Sequence, residues 1–382
     1  MKFVTCLSIV FLLMVAKIDS ANQLSAIIEQ MLSKAPLSAS DYMSLALYHP
    51  EHGYYRQSEL PWGFDGKDYF TALDLGPLLG ETIAYMLHNI WLDLGCPCPF
   101  TIFEPGAGRG WLGRDILTAI SGDFAKSVQY IHCDDCPAAG REAIVALKPW
   151  LKSGQARLAI QGEDIEPFVG AVISNELFDA LPAQPWRWDG ARWEREVLVS
   201  LNGDIQYCTA WEKGESLEAI KWFSQHAEGG LQPEDGSVWV DSMPEVLTDI
   251  CRPLKKGLFL TIDYGDSAGR LIAKGASLRR YCQHKVDGKW WENPGKSDLT
   301  ADVDFTRLAY LLECQGFMPK KTVSLGRWIS NNAPIVEWEK QWQGLPQAER
   351  AKRSHNLLQL TMPNAMGERF KVLQAVKTPG NQ

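Results

Sequence analysis

The sequence predicts an α/β fold, a parallel sheet with helices on both faces, and three observations lead to it. After Pro99, short apolar runs alternate with helix-length amphipathic stretches. A glycine-rich turn stands where the first run meets the first helix, and an aromatic-rich stretch interrupts the alternation once before it resumes. Strand and helix in alternation mark crossover units, whose strands pair in parallel and are covered on both sides. The chain has 382 residues, 46% hydrophobic and 22% charged, with a formal net charge of −8, which is globular composition. That length allows two or three structural units. The acidic surplus argues against broad electrostatic binding to nucleic acid or to an anionic membrane, because phosphates need an excess of Lys and Arg.

The elements follow in order. Met1 and Lys2 precede an apolar run from Phe3 to Ala16 that resembles the start of a secretory signal, but Ile18-Asp19-Ser20-Ala21 lacks a cleavage spacing. The run is also shorter than the roughly 20 residues a membrane span needs, so no stable membrane insertion is expected. Residues 1–22 are read as a signal-like or spurious apolar segment. From residue 23 to 95 the pattern is helical: Leu24 to Leu32, then Tyr42 to Leu47 behind the cap residues Ser38-Ala-Ser-Asp41, then Leu78 to Leu92 after Pro77. The loop Gly66 to Thr71 has no period and is placed to cover something.

Thr101 to Phe103, Val128 to His132, Arg157 to Ile160 and Gly170 to Ser174 read as buried strands, with helices over Leu112 to Ile120 and Pro137 to Leu151. Between about Pro182 and Lys256 the alternation stops, and Trp186-Arg-Trp-Asp-Gly-Ala-Arg-Trp193 and Asn202-Gly203 signal antiparallel hairpins. Gly257 to Ile262 resumes the buried strand and runs into Asp263-Tyr-Gly265. Arg279 to Thr300 reads as a long irregular segment, of the kind that is usually functional or mobile. A helix after Asp304, a strand near Thr322 and a last strand over Phe370 to Val376 complete the chain. The expected organisation is a helical cap over 23–95, a core from 96–182 and 256–382, and a β-rich insertion over 183–255.

The nine cysteines are odd in number and scattered, which suits free thiols in a reducing compartment. Cys96-Pro-Cys98 has one intervening residue where zinc knuckles favour two, so no metal is expected there or at Cys133-Asp-Asp-Cys136. A cytoplasmic location is expected, with a secretory or membrane-associated one as the weaker alternative.

The most informative stretch is Glu104-Pro-Gly106-Ala-Gly108-Arg-Gly110-Trp111 at a strand-to-helix turn. Glycines there allow positive φ and let a ligand touch backbone at a helix N-terminus. A dinucleotide fingerprint needs glycine where Trp111 stands, so a nicotinamide oxidoreductase is disfavoured. An acid at the strand end suits S-adenosylmethionine, whose amine Glu104 would hold. Asp134, after the second strand, would accept the ribose hydroxyls, and Gly162-Glu-Asp164, after the third, would place Asp164 near the adenine. The fourth strand runs into Asn175-Glu-Leu-Phe-Asp-Ala-Leu-Pro182, so Asn175, Glu176 and Asp179 are candidates beside the sulfonium. Two carboxylates there would clamp a guanidinium and orient one nitrogen, although arginine resists deprotonation.

Several motifs in order resemble one family. They are Asp41-Tyr-Met-Ser-Leu-Ala-Leu-Tyr-His-Pro50, Gly53-Tyr-Tyr55, Asp68-Tyr-Phe-Thr71, Gly76-Pro-Leu-Leu-Gly80, the glycine loop, the Asn175 to Pro182 stretch, Asp263-Tyr-Gly265, and Asn293 to Phe305. Together they resemble the MidA-like class I methyltransferases, a family that includes the mitochondrial complex I assembly factor 7, a protein-arginine methyltransferase. The resemblance covers the chain from about Leu37 onward. It implies a seven-stranded Rossmann-like fold, S-adenosyl-L-methionine as methyl donor, and a protein substrate, with a respiratory-complex subunit as one candidate. A histidine common in relatives is Asp302 here, a tyrosine-arginine-glycine-histidine segment is Tyr281-Cys-Gln-His284, and a threonine-proline-glutamate-like run is Thr71-Ala-Leu-Asp74. These departures fall outside the cofactor loop, in segments expected to face substrate. Two alternatives stay open at this point, a methyltransferase acting on a small molecule and a non-catalytic assembly factor that keeps the cofactor site.

Overall fold

The computed structural model describes residues 23–57, 71–200, 207–214, 216–276, 278–282 and 285–378. The apolar N-terminal segment, the Asn202-Gly203 turn, residues 66–70 of the predicted loop and His284 lie outside the described residues. The chain forms two compact units, one within Met1–Tyr69, Phe178–Pro244 and Asp266–Thr306, the other within Phe70–Leu177, Glu245–Gly265 and Arg307–Gln382.

The second unit carries the parallel sheet. Its seven main strands, in chain order, are β1 (Phe100–Pro105), β2 (Val128–Cys133), β3 (Ala156–Ala159), β4 (Phe168–Asn175), β5 (Leu254–Asp266), β6 (Phe317–Pro319) and β7 (Phe370–Lys377). They lie side by side in the order β6-β7-β5-β4-β1-β2-β3. The pairs from β5 across to β3 are parallel, and β7 enters antiparallel between β5 and β6. The strand order reverses between β1 and β4, the point at which open α/β sheets leave a ligand crevice. β1 is buried along its whole length, as a strand covered on both faces must be. The core joins Leu79, Ile83 and Leu87 of the helix Leu78–Asp93 to Ile102, Ile173 and Leu260 of the sheet and to Trp328 and Val372 near the C-terminus. That helix, grouped by pattern with an N-terminal cap, belongs to the sheet's unit because its apolar face is part of this core. The long helix expected over Pro137 to Leu151 is two, Pro137–Ala146 and Lys148–Ser153, since Pro149 cannot supply an N–H inside a continuous helix.

The first unit is largely antiparallel. Leu37–Ser38, Trp193–Ser200, Gln184–Trp188 and Gly236–Trp239 pair in that order, and Tyr207–Lys213 pairs with Trp193–Ser200. The predicted Asp189-Gly190 turn is present, with Asp189 Oδ1 accepting the N–H groups of Ala191 and Arg192 at 2.7 Å each. Trp186, Trp193 and Trp239 are buried with Phe223 of the helix Leu217–His226 and form this unit's own core. The segment read as irregular contains a three-stranded sheet of Lys285–Asp287, Leu278–Cys282 and Asp298–Ala301. Strands of three to five residues are too short to show a period, and Gly288, Asn293, Pro294 and Gly295 interrupt the pattern. Trp290, in the same segment, is 1% exposed and meets the Tyr42 ring edge-on.

Candidate active site

The glycine loop follows β1, and the backbone there is left-handed three times, with φ of 69° at Gly106, 51° at Gly108 and 68° at Gly110. Only glycine takes that conformation without steric cost. A side chain at Gly106 would also meet Leu177 Cδ1 at 2.8 Å, whereas one at Gly108 would meet nothing within 4 Å. The loop therefore packs against the Asn175 motif at one end and opens into space in the middle.

The neighbouring strand holds the loop in shape. Tyr130, His132 and Asp134 stand two residues apart along and just beyond β2, so their side chains share a face. The Tyr130 hydroxyl donates to Glu104 Oε2 at 2.6 Å, His132 Nε2 donates to the Gly108 carbonyl at 2.8 Å, and Asp134 Oδ2 accepts the Gly108 N–H at 2.9 Å. Asp134 Oδ1 accepts the Cys136 N–H at 2.7 Å. Each Asp134 oxygen retains a lone pair for a further donor. Sequence reasoning singled out Asp134 but not Tyr130 or His132, although the alternation Tyr-Ile-His-Cys-Asp carries the signal.

Glu104 is 2% exposed. Burial pushes its carboxyl up to about 8, against the pull of the Tyr130 hydrogen bond and with a further push from the Asp134 and Asp115 charges. Burial likewise raises Asp134, with the Cys136 and Gly108 N–H bonds opposing. Tyr130 reaches Glu104 because Gly113 leaves room, since a Cβ there would lie 2.2 Å from the tyrosine ring. Asp164 is at the surface with its side chain 94% exposed, where Arg252 meets it at 3.1 Å.

Asn175 ends β4, beside β1 in the sheet. Its Nδ2 donates to Glu176 Oε1 at 3.0 Å, and its Oδ1 is buried with no hydrogen-bond partner among the described residues. Glu176 has a positive φ of 52°, which costs a non-glycine residue about 1 kcal/mol or more and tends to mark functional positions. A left-handed glycine cradle, a carboxylate with spare lone pairs and an orphaned buried acceptor fit a ligand with an adenosyl group and an amine. Asn175 and Glu176 are held in the unit of the parallel sheet.

Asp179 belongs to the other unit, where it is 4% exposed. Its carboxyl is pushed up to about 7, chiefly by burial and also by the Asp302 charge, with Arg279 pulling it down. Asp302 accepts from Arg279 Nη1 and from Lys274 Nζ, each at 2.6 Å.

Residues 82–321 match the sequence profile of a family of S-adenosyl-L-methionine-dependent methyltransferases. The chain belongs to this family. S-adenosylmethionine is therefore its methyl donor. The chain is 29% identical over 314 residues to the mitochondrial protein arginine methyltransferase NDUFAF7 homologue of Caenorhabditis elegans, covering 75% of this chain and 71% of that one. It is 26% identical over 390 residues to the Drosophila melanogaster homologue, covering 92% and 84%. A solved superfamily member from Burkholderia thailandensis, bound to S-adenosyl-homocysteine, shares the fold with a TM-score of 0.79. That pair is 23% identical, and the match covers 95% of each chain. The mitochondrial relatives correct the expectation of a cytoplasmic location, which rested on the scattered cysteines and on the glycine-loop motif. Among the described residues no helix is long and apolar enough to cross a membrane.

Proposed function

We propose that the chain methylates an arginine side chain of a protein, with Asn175, Glu176 and Asp179 acting on the acceptor. The observation that carries this is the strained end of β4, where Asn175 and Glu176 are bonded to each other and the next residue, Leu177, packs on the glycine loop. The names of the relatives, protein arginine methyltransferases, point to the same acceptor. A subunit of a respiratory complex is the acceptor that the family resemblance suggests.

When bound, S-adenosylmethionine supplies an electrophilic methyl group on a sulfonium. The three glycines leave room for the ligand along the backbone, and Asp134 would accept the ribose hydroxyls with the lone pairs that Gly108 and Cys136 leave over. Glu104 releases its proton as a cationic amine approaches, because a nearby positive charge lowers a carboxyl's pKa. Asn175 Oδ1 accepts from the donor side, and Glu176 accepts from the guanidinium and aims one nitrogen. An acceptor nitrogen that took this methyl group, with S-adenosylhomocysteine as the leaving group, would have to lose a proton. Asp179, with a pKa of about 7, has the proton affinity that such a base needs near neutrality.

A cell lysate incubated with a labelled methyl donor and the purified chain should show label in the arginine of a protein band, and Asp179→Ala should lose that band. Label found only in small molecules would defeat the protein-arginine reading.

A further inference from the structure

Arg109 lies between the second and third glycines of the cofactor loop and is 9% exposed. Its Nη2 donates to Asp74 Oδ1 at 2.7 Å, and its Cζ sits 3.6 Å from the centre of the Trp111 ring. Asp74, its side chain 2% exposed, also accepts the Thr71 N–H through Oδ2 at 2.7 Å, while Thr71 Oγ1 accepts the Leu73 N–H at 3.2 Å. One carboxylate thus closes the turn Ala72–Leu75 and holds a guanidinium from the loop. The turn is held again where Asn356, on the helix Gln347–Thr361, donates to the Leu75 carbonyl.

We propose that Asp74 and Arg109 are a positioning pair for S-adenosylmethionine: their ion pair holds the Gly108–Gly110 stretch in its left-handed turns, so that cofactor affinity depends on a short turn outside the sheet. The inference rests on the family's use of this cofactor. Glycine-rich backbone loses more freedom on ordering than any other, and a loop ordered before binding spares the ligand that cost. His132 and Asp134 fix Gly108, but the next two residues have only Arg109 as a charged side chain to anchor them. Bonded by Asp74 and seated over the Trp111 ring, that guanidinium is restrained from two sides.

The test is titration calorimetry of the full chain with S-adenosylhomocysteine, together with amide exchange of the free protein. Asp74→Asn and Arg109→Gln should each weaken binding about tenfold with a less favourable binding entropy, and the double variant should be no weaker than either single one. Asp74→Glu should recover most of the affinity. In free Asp74→Asn the amides of Arg109 and Gly110 should exchange faster, a readout that does not depend on ligand. An affinity within twofold of wild type in folded Asp74→Asn overturns the proposal, as does a double variant whose losses simply add. Wild type that fails to bind S-adenosylhomocysteine overturns the cofactor reading, and the positioning role with it.

Discussion

Glu104 stands near the end of β1, buried just before the glycine loop's first turn. An acid at the end of a strand suggests an ionised partner for an amine, yet the structure buries it against Tyr130 and lifts its pKa to about 8. The folded state therefore keeps this proton up to about pH 8, while the unfolded chain releases it in the ordinary carboxylate range. Because the folded state then binds more protons than the unfolded one, this contribution to stability is full at acid pH and is lost as pH rises through about 8. Each pH unit between the two pKa values corresponds to about 1.4 kcal/mol. Glu104→Gln keeps an acceptor for the Tyr130 hydroxyl and removes the titration. In urea unfolding it should be more stable than wild type by a few kcal/mol at pH 9, with little difference at pH 5. Equal differences at both pH values would show that Glu104 titrates normally. Tyr130, His132 and Gly113 are harder to read from sequence, since each acts through a contact with a residue in another element. Tyr130 meets Glu104, His132 meets Gly108, and Gly113 makes way for the tyrosine ring.

At the scale of elements, the three-stranded sheet of Leu278–Cys282, Lys285–Asp287 and Asp298–Ala301 brings Arg279 and Thr300 into register and sets Asp302 just beyond the last strand. The Ala301 N–H donates to the Asp179 carbonyl at 2.9 Å, which ties this sheet to the motif that carries Asp179. Asp302 raises the pKa of Asp179 and Arg279 lowers it. Asp302→Asn removes the raising charge and frees Arg279 to act on Asp179 alone, so the pKa of Asp179 must fall. With a deprotonated Asp179 as the active form, the acid limb of the methyl-transfer pH profile should move from near pH 7 to lower pH, by about one unit. An unmoved limb would show that Asp179 is not the group that sets it. The motif Asn175 to Pro182 was legible as a strand end with three polar candidates. Its left-handed Glu176 and the chain's passage between units after Leu177 were not, because neither leaves a mark on the local pattern of residue types.

For the whole molecule, the glycine loop lies within the unit that carries the parallel sheet. A ligand that binds only the folded state stabilises it by mass action, about 2.7 kcal/mol at a concentration one hundred times its Kd. S-adenosylhomocysteine at that concentration should raise the denaturation midpoint and slow amide exchange in β1, β2 and β4. Gly106→Val, whose side chain would meet Leu177 and whose φ of 69° resists a branched residue, should show no such stabilisation. Full stabilisation of that variant would place the ligand elsewhere. The sequence by itself determined the parallel sheet, the glycine loop, the Asp189-Gly190 hairpin and the cofactor class, because each rests on a local period or on residue types at fixed spacing. Folding in three dimensions was needed to show that Glu104 is bonded from β2, that Asp74 reaches the glycine loop, and that Asp302 acts on Arg279 and Asp179. These are interactions across 23 to 123 positions of chain, and only folding sets which side chains meet and how much water is left between them.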